Sequence, residues 1–402
     1  MRREETLMTK KEGFQTVETN FEELDEKIRI HRKKIFWRVI GVSLGVIVTI
    51  FLAQLWMAVR GYDSYEIRNS VDRNGSEAAK YEKFLGNIIE YSNDGIGYMT
   101  SDNELLWNQS FEMVSPKIDI CKDYLVIYDR GGTLIYIMQK SGVVKQIETA
   151  KPIQTVCIAS QGTIAVLMKE DQTSYLKVYD KTGGELANGE FYGEKGGFPI
   201  DLAFSYDGKK LAVGMIDVND GDVKSTITFY NLDSVGQNEI NNNVGTFSYS
   251  DMLIPEIEYI SEDTMIAIGD SEIIIFQGKE KPKMQKEIFV QKELTSVFYN
   301  EKYIGIAYSN ESIESGYHIE VYNLNGGKVM ENDTTIMYDA ISFLDNNEIC
   351  VKNQYECELF TIHSIKKFSY RFDTKLMDIL SNGNGQDYIF LFDEAIEEVH
   401  LK

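Results

Sequence analysis

Two stretches hold residues of the right types for chemistry. In "AFSYDGKKLAVG", Ala203 to Gly214, Asp207 stands between two apolar segments, where a carboxylate can serve as an acid or a base. In "DVNDGDVKS", Asp217, Asn219, Asp220 and Asp222 surround Gly221 and offer the hard oxygen ligands that Ca²⁺ prefers. The spacing argues against both. An EF-hand loop puts glycine at its sixth position and a glutamate at its twelfth. Here glycine comes one residue early and the glutamate is missing, so a solvated inter-strand loop is expected. Asp207-Gly208 is the pair a tight turn uses: aspartate bonds its own backbone, and glycine accepts positive φ without steric cost.

Other constellations are sparse. The histidines are His31, His318, His363 and His400, scattered and without a zinc-ligand spacing. No H-E-x-x-H, Cys-x-x-Cys, G-x-G-x-x-G or G-x-x-x-x-G-K-[ST] occurs. Neighbouring acids such as Glu397 and Glu398 read as solvent-facing charge, and the N-x-[ST] sequons at Asn74, Asn108, Asn310 and Asn332 as coincidence. Cys121 and Cys157 fall in apolar strands and read as core. Cys350 and Cys357 flank a hairpin, "NEICVKNQYECELF". A turn centred between Asn353 and Gln354 would place them opposite each other, allowing either a cross-strand disulfide or buried free thiols. No catalytic residue, cofactor or metal ligand is assigned.

Whatever positions such residues must be mostly β-structure. The chain has 402 residues, 43% of them hydrophobic, with 24 Tyr, 20 Phe and only 5 Pro. Aromatic and β-branched side chains suit a pleated face. Residues 1–60 contain 11 Lys+Arg against 8 Asp+Glu, net +3, while the rest contain 30 against 55, net −25. Nucleic acid is excluded as a partner of so acidic a region, because binding phosphate means neutralising it.

The N-terminal part is different. Val39 to Val59, "VIGVSLGVIVTIFLAQLWMAV", has no charge over 21 residues. At 1.5 Å per residue, about 20 such residues cross a bilayer core. Trp37 and Trp56 stand near its ends, and "KIRIHRKK", 27–34, makes one flank basic. The positive-inside rule then puts the N-terminus in the cytoplasm and the C-terminal bulk outside. The expected divisions are a partly helical cytoplasmic tail, 1–34, a transmembrane helix, 35–59, a polar stalk, 60–83, and an extracytoplasmic domain, 84–402. In the tail, Asn20 and Glu23 form a capping-box pattern from which a helix runs into the span.

From Phe84 onward short strands alternate with polar turns. Similar segments recur: "KIDIC" at 117, "IQTVCIA" at 153, "IDLAFS" at 200, "EIEYIS" at 256, "LTSVFY" at 294, "AISFLD" at 340 and "LMDIL" at 376. Further along each unit, "VYDKTGG", 178–184, matches "VYNLNGG", 321–327. A four-stranded unit of about 40 residues that repeats cannot bury both faces alone, and radial stacking into a β-propeller solves this. "DLAFSYDGKKLAVG", 201–214, resembles the strand–Ser–x–Asp–Gly–strand motif of bacterial WD40-like and YVTN-type propellers. "DGIGYMTSDNELLW", 94–107, resembles the tryptophan-docking repeat of quinoprotein-type propellers. The quinoprotein enzymes typically place a vicinal cysteine pair beside the quinone, and this chain has no adjacent cysteines.

The expected fold is therefore all-β, a propeller of eight or alternatively seven four-stranded blades after one transmembrane helix. "YEIRNSV", 65–71, is the candidate ring-closing strand. The resemblance implies a non-enzymatic, membrane-anchored interaction or scaffolding module at the cell envelope, its partners the lipid bilayer and an envelope protein. The alternative is an enzyme or ligand sensor with its site in the central funnel.

Overall fold

Among the described residues, short runs punctuated by turns make 32 strands, continuously buried in the middle of a blade and alternating at its outer edge, and they form eight separate four-stranded antiparallel sheets. The computed structural model describes residues 21–73, 79–193, 196–218, 222–290, 292–310, 316–383 and 385–402, with helix side chains described over 25–50. The chain divides into two units, up to Arg60 and from Gly61.

The first unit is a helix, Phe21–Val59. Val42, Leu44, Val46, Ile47 and Val48 are all exposed and at helical spacing point around the circumference, so the apolar residues make no single stripe. The Thr49 hydroxyl donates back to the Gly45 carbonyl at 2.8 Å. Among the described residues, no helix is long and apolar enough to cross a membrane.

The second unit is an eight-bladed propeller, which removes the seven-blade alternative. The first strands of blades 2 to 8 are Pro116–Cys121, Ile153–Ile158, Phe198–Phe204, Glu256–Tyr259, Leu294–Tyr299, Ala340–Phe343 and Leu376–Ser381. Each coincides with one of the recurrent segments. Blade 1 begins at Lys80–Phe84, ahead of Phe84, and so takes in the end of the stretch read as a stalk. The ring closes through Tyr65–Asp72, which pairs antiparallel with Ala395–Leu401 as the fourth strand of blade 8. Closure removes a sheet edge that would otherwise template aggregation. Tyr65 packs among Phe368, Tyr370, Phe372 and Phe390. Buried Arg73 then bonds the Phe392 carbonyl in blade 8 and Glu90 in blade 1, each at 2.9 Å.

Apolar clusters join neighbouring sheets; Val126 and Ile137 of blade 2, for example, pack with Val156 and Val166 of blade 3. Repetition extends to irregularities. In every blade the third and fourth strands carry a bulge at the same place, and the extra residues are Leu106, Val144, Leu186, Val244, Gln285, Val329, Lys367 and Arg68. The matched turns agree in detail. Asp180 accepts the amides of Thr182 and Gly184, and Asn323 those of Asn325 and Gly327, with Gly183 and Gly326 at positive φ.

The hairpin at 350–357 departs from expectation. Cys350 lies opposite Leu359, and Cys357 opposite Lys352. The Asn353 side chain accepts the amides of Tyr355 and Glu356, which moves the turn centre toward the C-terminus and shifts the register. All four cysteines are buried and free.

Candidate functional site

Asp207 proves to be part of a turn. Its Oδ1 accepts the Ser205 hydroxyl at 2.6 Å and the Lys209 amide at 3.2 Å. Gly208 has φ +66°, and a Cβ there would come within 1.9 Å of Gln161. Gly162 and Asn347 take the same left-handed position in blades 3 and 7, where Gly162 bonds back to Ala159 and Asn347 to Leu344. The loop once considered for Ca²⁺ lies partly outside the described residues, at 219–221. His318, His363 and His400 sit in three different blades, and Asp387 is 2.6 Å from His400.

The residues that do converge are acids on the first strands, around the propeller axis. Asp119 comes from blade 2, Asp201 from blade 4, Glu256 and Glu258 from blade 5, Asp378 from blade 8 and Glu82 from blade 1. Asp201 and Asp378 each follow a bulge, at Ile200 and Met377, and Thr155 and Ser296 follow equivalent bulges at Gln154 and Thr295. A bulge re-aims the next side chain, so the same device delivers a polar group to the axis in four blades.

Most of these groups clasp one blade to the next. Asp119 Oδ2 accepts the Ile158 amide at 2.8 Å, linking blades 2 and 3, and Asp201 Oδ2 accepts the Ile257 amide at 2.9 Å, linking blades 4 and 5. Gln154 donates to the Pro199 and Ile200 carbonyls between blades 3 and 4. The Tyr299 hydroxyl donates to Glu256 at 2.7 Å between blades 6 and 5. Lys352 donates to the Met377 carbonyl at 2.6 Å and pairs with Asp378 at 3.3 Å, joining blades 7 and 8.

Burial weakens four of these acids, Glu82, Asp119, Asp201 and Glu258. Burial pushes Asp201 up to about 7 against the pull of its two backbone hydrogen bonds. Glu82 is also raised to about 7, by burial and then by the neighbouring charge of Asp378. Burial raises Asp119 as well, and lifts Glu258 furthest, with Asp119, Asp201 and Glu256 adding repulsion. The Cys157 thiol and the Tyr299 phenol are pushed up for the same reason and stay protonated. The first strands thus hold a cluster of acids that keep their protons to higher pH than usual, and the buried Cys157 thiol near them is inert as a nucleophile. Larger clefts lie off the axis. One of about 470 Å³ runs between blades 3 and 4, lined by Leu176, Val178, Leu211 and Tyr230.

Residues 58–401 match the model of a family described as "Family of unknown function (DUF5711)". No curated protein matches in sequence. Among solved structures, BamB from Moraxella catarrhalis is similar at 11% identity and a TM-score of 0.50, covering 84% of this chain and 100% of that one. Kuenenia stuttgartiensis hydrazine synthase aligns at 9% identity, TM-score 0.46, over 75% of this chain and 99% of its own. Hsv2p from Kluyveromyces lactis aligns at 8% identity, TM-score 0.46, over 84% and 98%. At these identities the likeness is one of fold.

Proposed function

The chain belongs to the DUF5711 family, whose function is unknown, and we propose from its own residues that it is a membrane-anchored propeller that binds a protein partner. The observation that carries this is the outer rim of blades 1 to 3. There the bulge residues Leu106, Val144 and Leu186 are apolar yet 44%, 37% and 60% exposed, with Leu105 and Val143 exposed beside them. At the corresponding position Val244 of blade 4 and Val329 of blade 6 pack against the core, Lys367 of blade 7 is buried, and blade 8 has the charged Arg68. Apolar rim residues at equivalent positions on consecutive blades, in a chain of net charge −22, mark a contact surface. The rigid ring fixes their spacing.

The anchor is argued from sequence. The uncharged run Val39–Val59 lies wholly within the helix, and the basic residues 27–34 precede it. The Thr49–Gly45 bond satisfies a hydroxyl internally, as a lipid setting requires. The N-terminus is then cytoplasmic and the propeller outside, at the cell envelope. A second reading is favoured by the axial acids: a ligand-sensing or enzymatic propeller would use those carboxyl groups.

Crosslinking and capture from native membranes tests the first reading. The full chain should recover a stable protein partner, and the combined substitutions Leu106→Glu, Val144→Glu and Leu186→Glu should abolish it while leaving the circular dichroism unchanged. Capture of nothing by the wild type, or equal capture by the variant, would defeat it. A phosphatase reporter fused after Lys402 should be active only outside the cytoplasm.

A further inference from the structure

Blade 6 carries a second polar cluster, away from the axis and independent of the membrane reading. On its third strand, Gly316–Asn323, His318 and Glu320 are two residues apart and share one face. On its fourth strand, Lys328–Thr334, Asp333 lies opposite His318 and Glu331 opposite Glu320. Two carboxylates directly opposite on paired strands destabilise a sheet unless a cation lies between them. The Lys328 ammonium does so here, 3.1 Å from Glu320 Oε1 and 2.7 Å from Glu331 Oε2.

The surroundings are built like those of a metal ligand set. His318 Nδ1 is 2.6 Å from Asp333 Oδ1, which fixes the ring and leaves Nε2 facing Glu320 Oε1 at 3.5 Å. A carboxylate behind an imidazole orients it and raises its basicity. Glu320 is held in turn by the hydroxyl of Tyr308 at 3.0 Å and by that of Tyr322. One ligand atom each from His318, Glu320 and Glu331 lies within 4.8 Å of the others. Three ligands at roughly 2.0–2.2 Å from one tetrahedral ion stand about 3.4 Å apart. His318 Nε2 and Glu320 Oε1 already have nearly that spacing, and the exposed Glu331 side chain must swing inward to complete the triangle.

We propose that His318 Nε2, Glu320 and Glu331 form a site for a divalent transition metal, which takes the place of the Lys328 ammonium. Lys328 is 41% exposed and has room to turn into solvent. One imidazole with two carboxylates suits Zn²⁺ or Mn²⁺ better than Ca²⁺, which takes oxygen ligands throughout, and the usual affinity order puts Zn²⁺ above Mn²⁺. The remaining coordination position opens on a cleft of about 260 Å³ between blades 5 and 6, lined by Phe289, Lys292, Tyr308 and Tyr322, which has space for a water or a ligand oxygen.

Calorimetric titration of the full chain in detergent with Zn²⁺ alone, and with Mn²⁺ alone, tests this. The expected result is one Zn²⁺ per chain, bound more tightly than Mn²⁺ and removed by a chelator. Lys328→Met takes away the competing charge, so it should tighten Zn²⁺ at least tenfold and make the melting temperature depend on the metal. His318→Ala should weaken Zn²⁺ at least tenfold and abolish the visible absorption of the Co²⁺-loaded protein. Glu331→Gln should weaken Zn²⁺ with little change in metal-free melting, which keeps the test open should Lys328→Met fold poorly. Absence of Zn²⁺ binding in both wild type and Lys328→Met, or binding untouched by His318→Ala and Glu331→Gln, would show that the cluster is an ion network only.

Discussion

The indole nitrogen of Trp107, on the fourth strand of blade 1, donates to the carbonyl of Lys140 in blade 2 at 2.8 Å, with its ring beside Gly142. Trp107 also packs on Tyr98, ring centres 5.4 Å apart. One side chain thus joins two blades at the outer rim, where sheets diverge. Trp107→Phe should lower stability by about 1 kcal/mol, the net value of one hydrogen bond. Trp107→Ala should cost about 2–3 kcal/mol, below the range for a fully buried tryptophan because this one is half-buried. Urea unfolding of the two variants measures both, and an unchanged stability for Trp107→Phe would show that the hydrogen bond contributes nothing.

Asp201 gives a pH dependence of defined sign. Its carboxyl is raised to about 7 in the folded chain, chiefly by burial. Unfolded, it ionises near its ordinary value of about 4. Between the two, the folded state holds a proton that the unfolded state has lost. This group's contribution therefore falls as pH rises from about 4 to about 7, and the full penalty is present at pH 8. Asp201→Asn keeps an oxygen to accept the Ile257 amide and removes the charge. It should stabilise the protein at pH 8 by up to about 4 kcal/mol, about 1.36 kcal/mol for each pH unit between about 4 and about 7, and leave it unchanged at pH 4. A gain of equal size at both pH values would assign the effect to packing.

The repeat was open to sequence reading because each blade reuses one local solution. "YDG" at 206–208 and "SQG" at 160–162 each place glycine at a left-handed turn residue, and "VYDKTGG" and "VYNLNGG" fold alike. The closing strand was legible for a different reason: Tyr65, Ile67 and Val71 stand among polar residues, although the bulge at Arg68 leaves Ile67 exposed and buries Tyr65, Asn69 and Val71 in part. The axial acids were not. Asp119, Asp201 and Glu258 are far apart in the chain, and only ring geometry brings them together. The available signal was an acid inside an otherwise apolar first strand, as in "KIDIC", "IDLAFS" and "EIEYIS". The blade 6 cluster was hidden because His318 and Asp333 meet through cross-strand register, which a bulge at Val329 helps to set. Register also defeated the cysteine pairing, since one side chain, Asn353, moved the turn.

That register has a chemical consequence. Cys350 and Cys357 are 1% and 0% exposed, and burial raises both thiols, Cys350 to about 12. Thiolate is the reactive form, so both should be inert. A thiol reagent should titrate no cysteine in the native protein and four after denaturation, and reductant should leave the melting temperature unchanged. A drop in melting temperature with reductant would reveal a bridge.

Ring closure is the strongest structural dependence on a short segment. A chain starting at Gly61 retains Tyr65–Asp72 and Arg73, and should unfold cooperatively. A chain starting at Lys80 loses the aromatic packing of Tyr65 and the buried Arg73–Glu90 pair, and exposes the edge of Ala395–Leu401. Losing an aromatic anchor costs about 3 kcal/mol, and stranding a buried charge partner costs about 3–5 more. That sum is comparable with the whole net stability of a domain, about 5–15 kcal/mol. The shorter chain should therefore show no cooperative transition and should aggregate through its open edge. Tyr65→Ala in the longer chain separates packing from closure: it should lower stability by about 2–4 kcal/mol without adding to light scattering. Calorimetry with light scattering distinguishes these outcomes, and an unchanged midpoint for the chain starting at Lys80 would mean that contacts other than the closing strand hold blades 8 and 1 together.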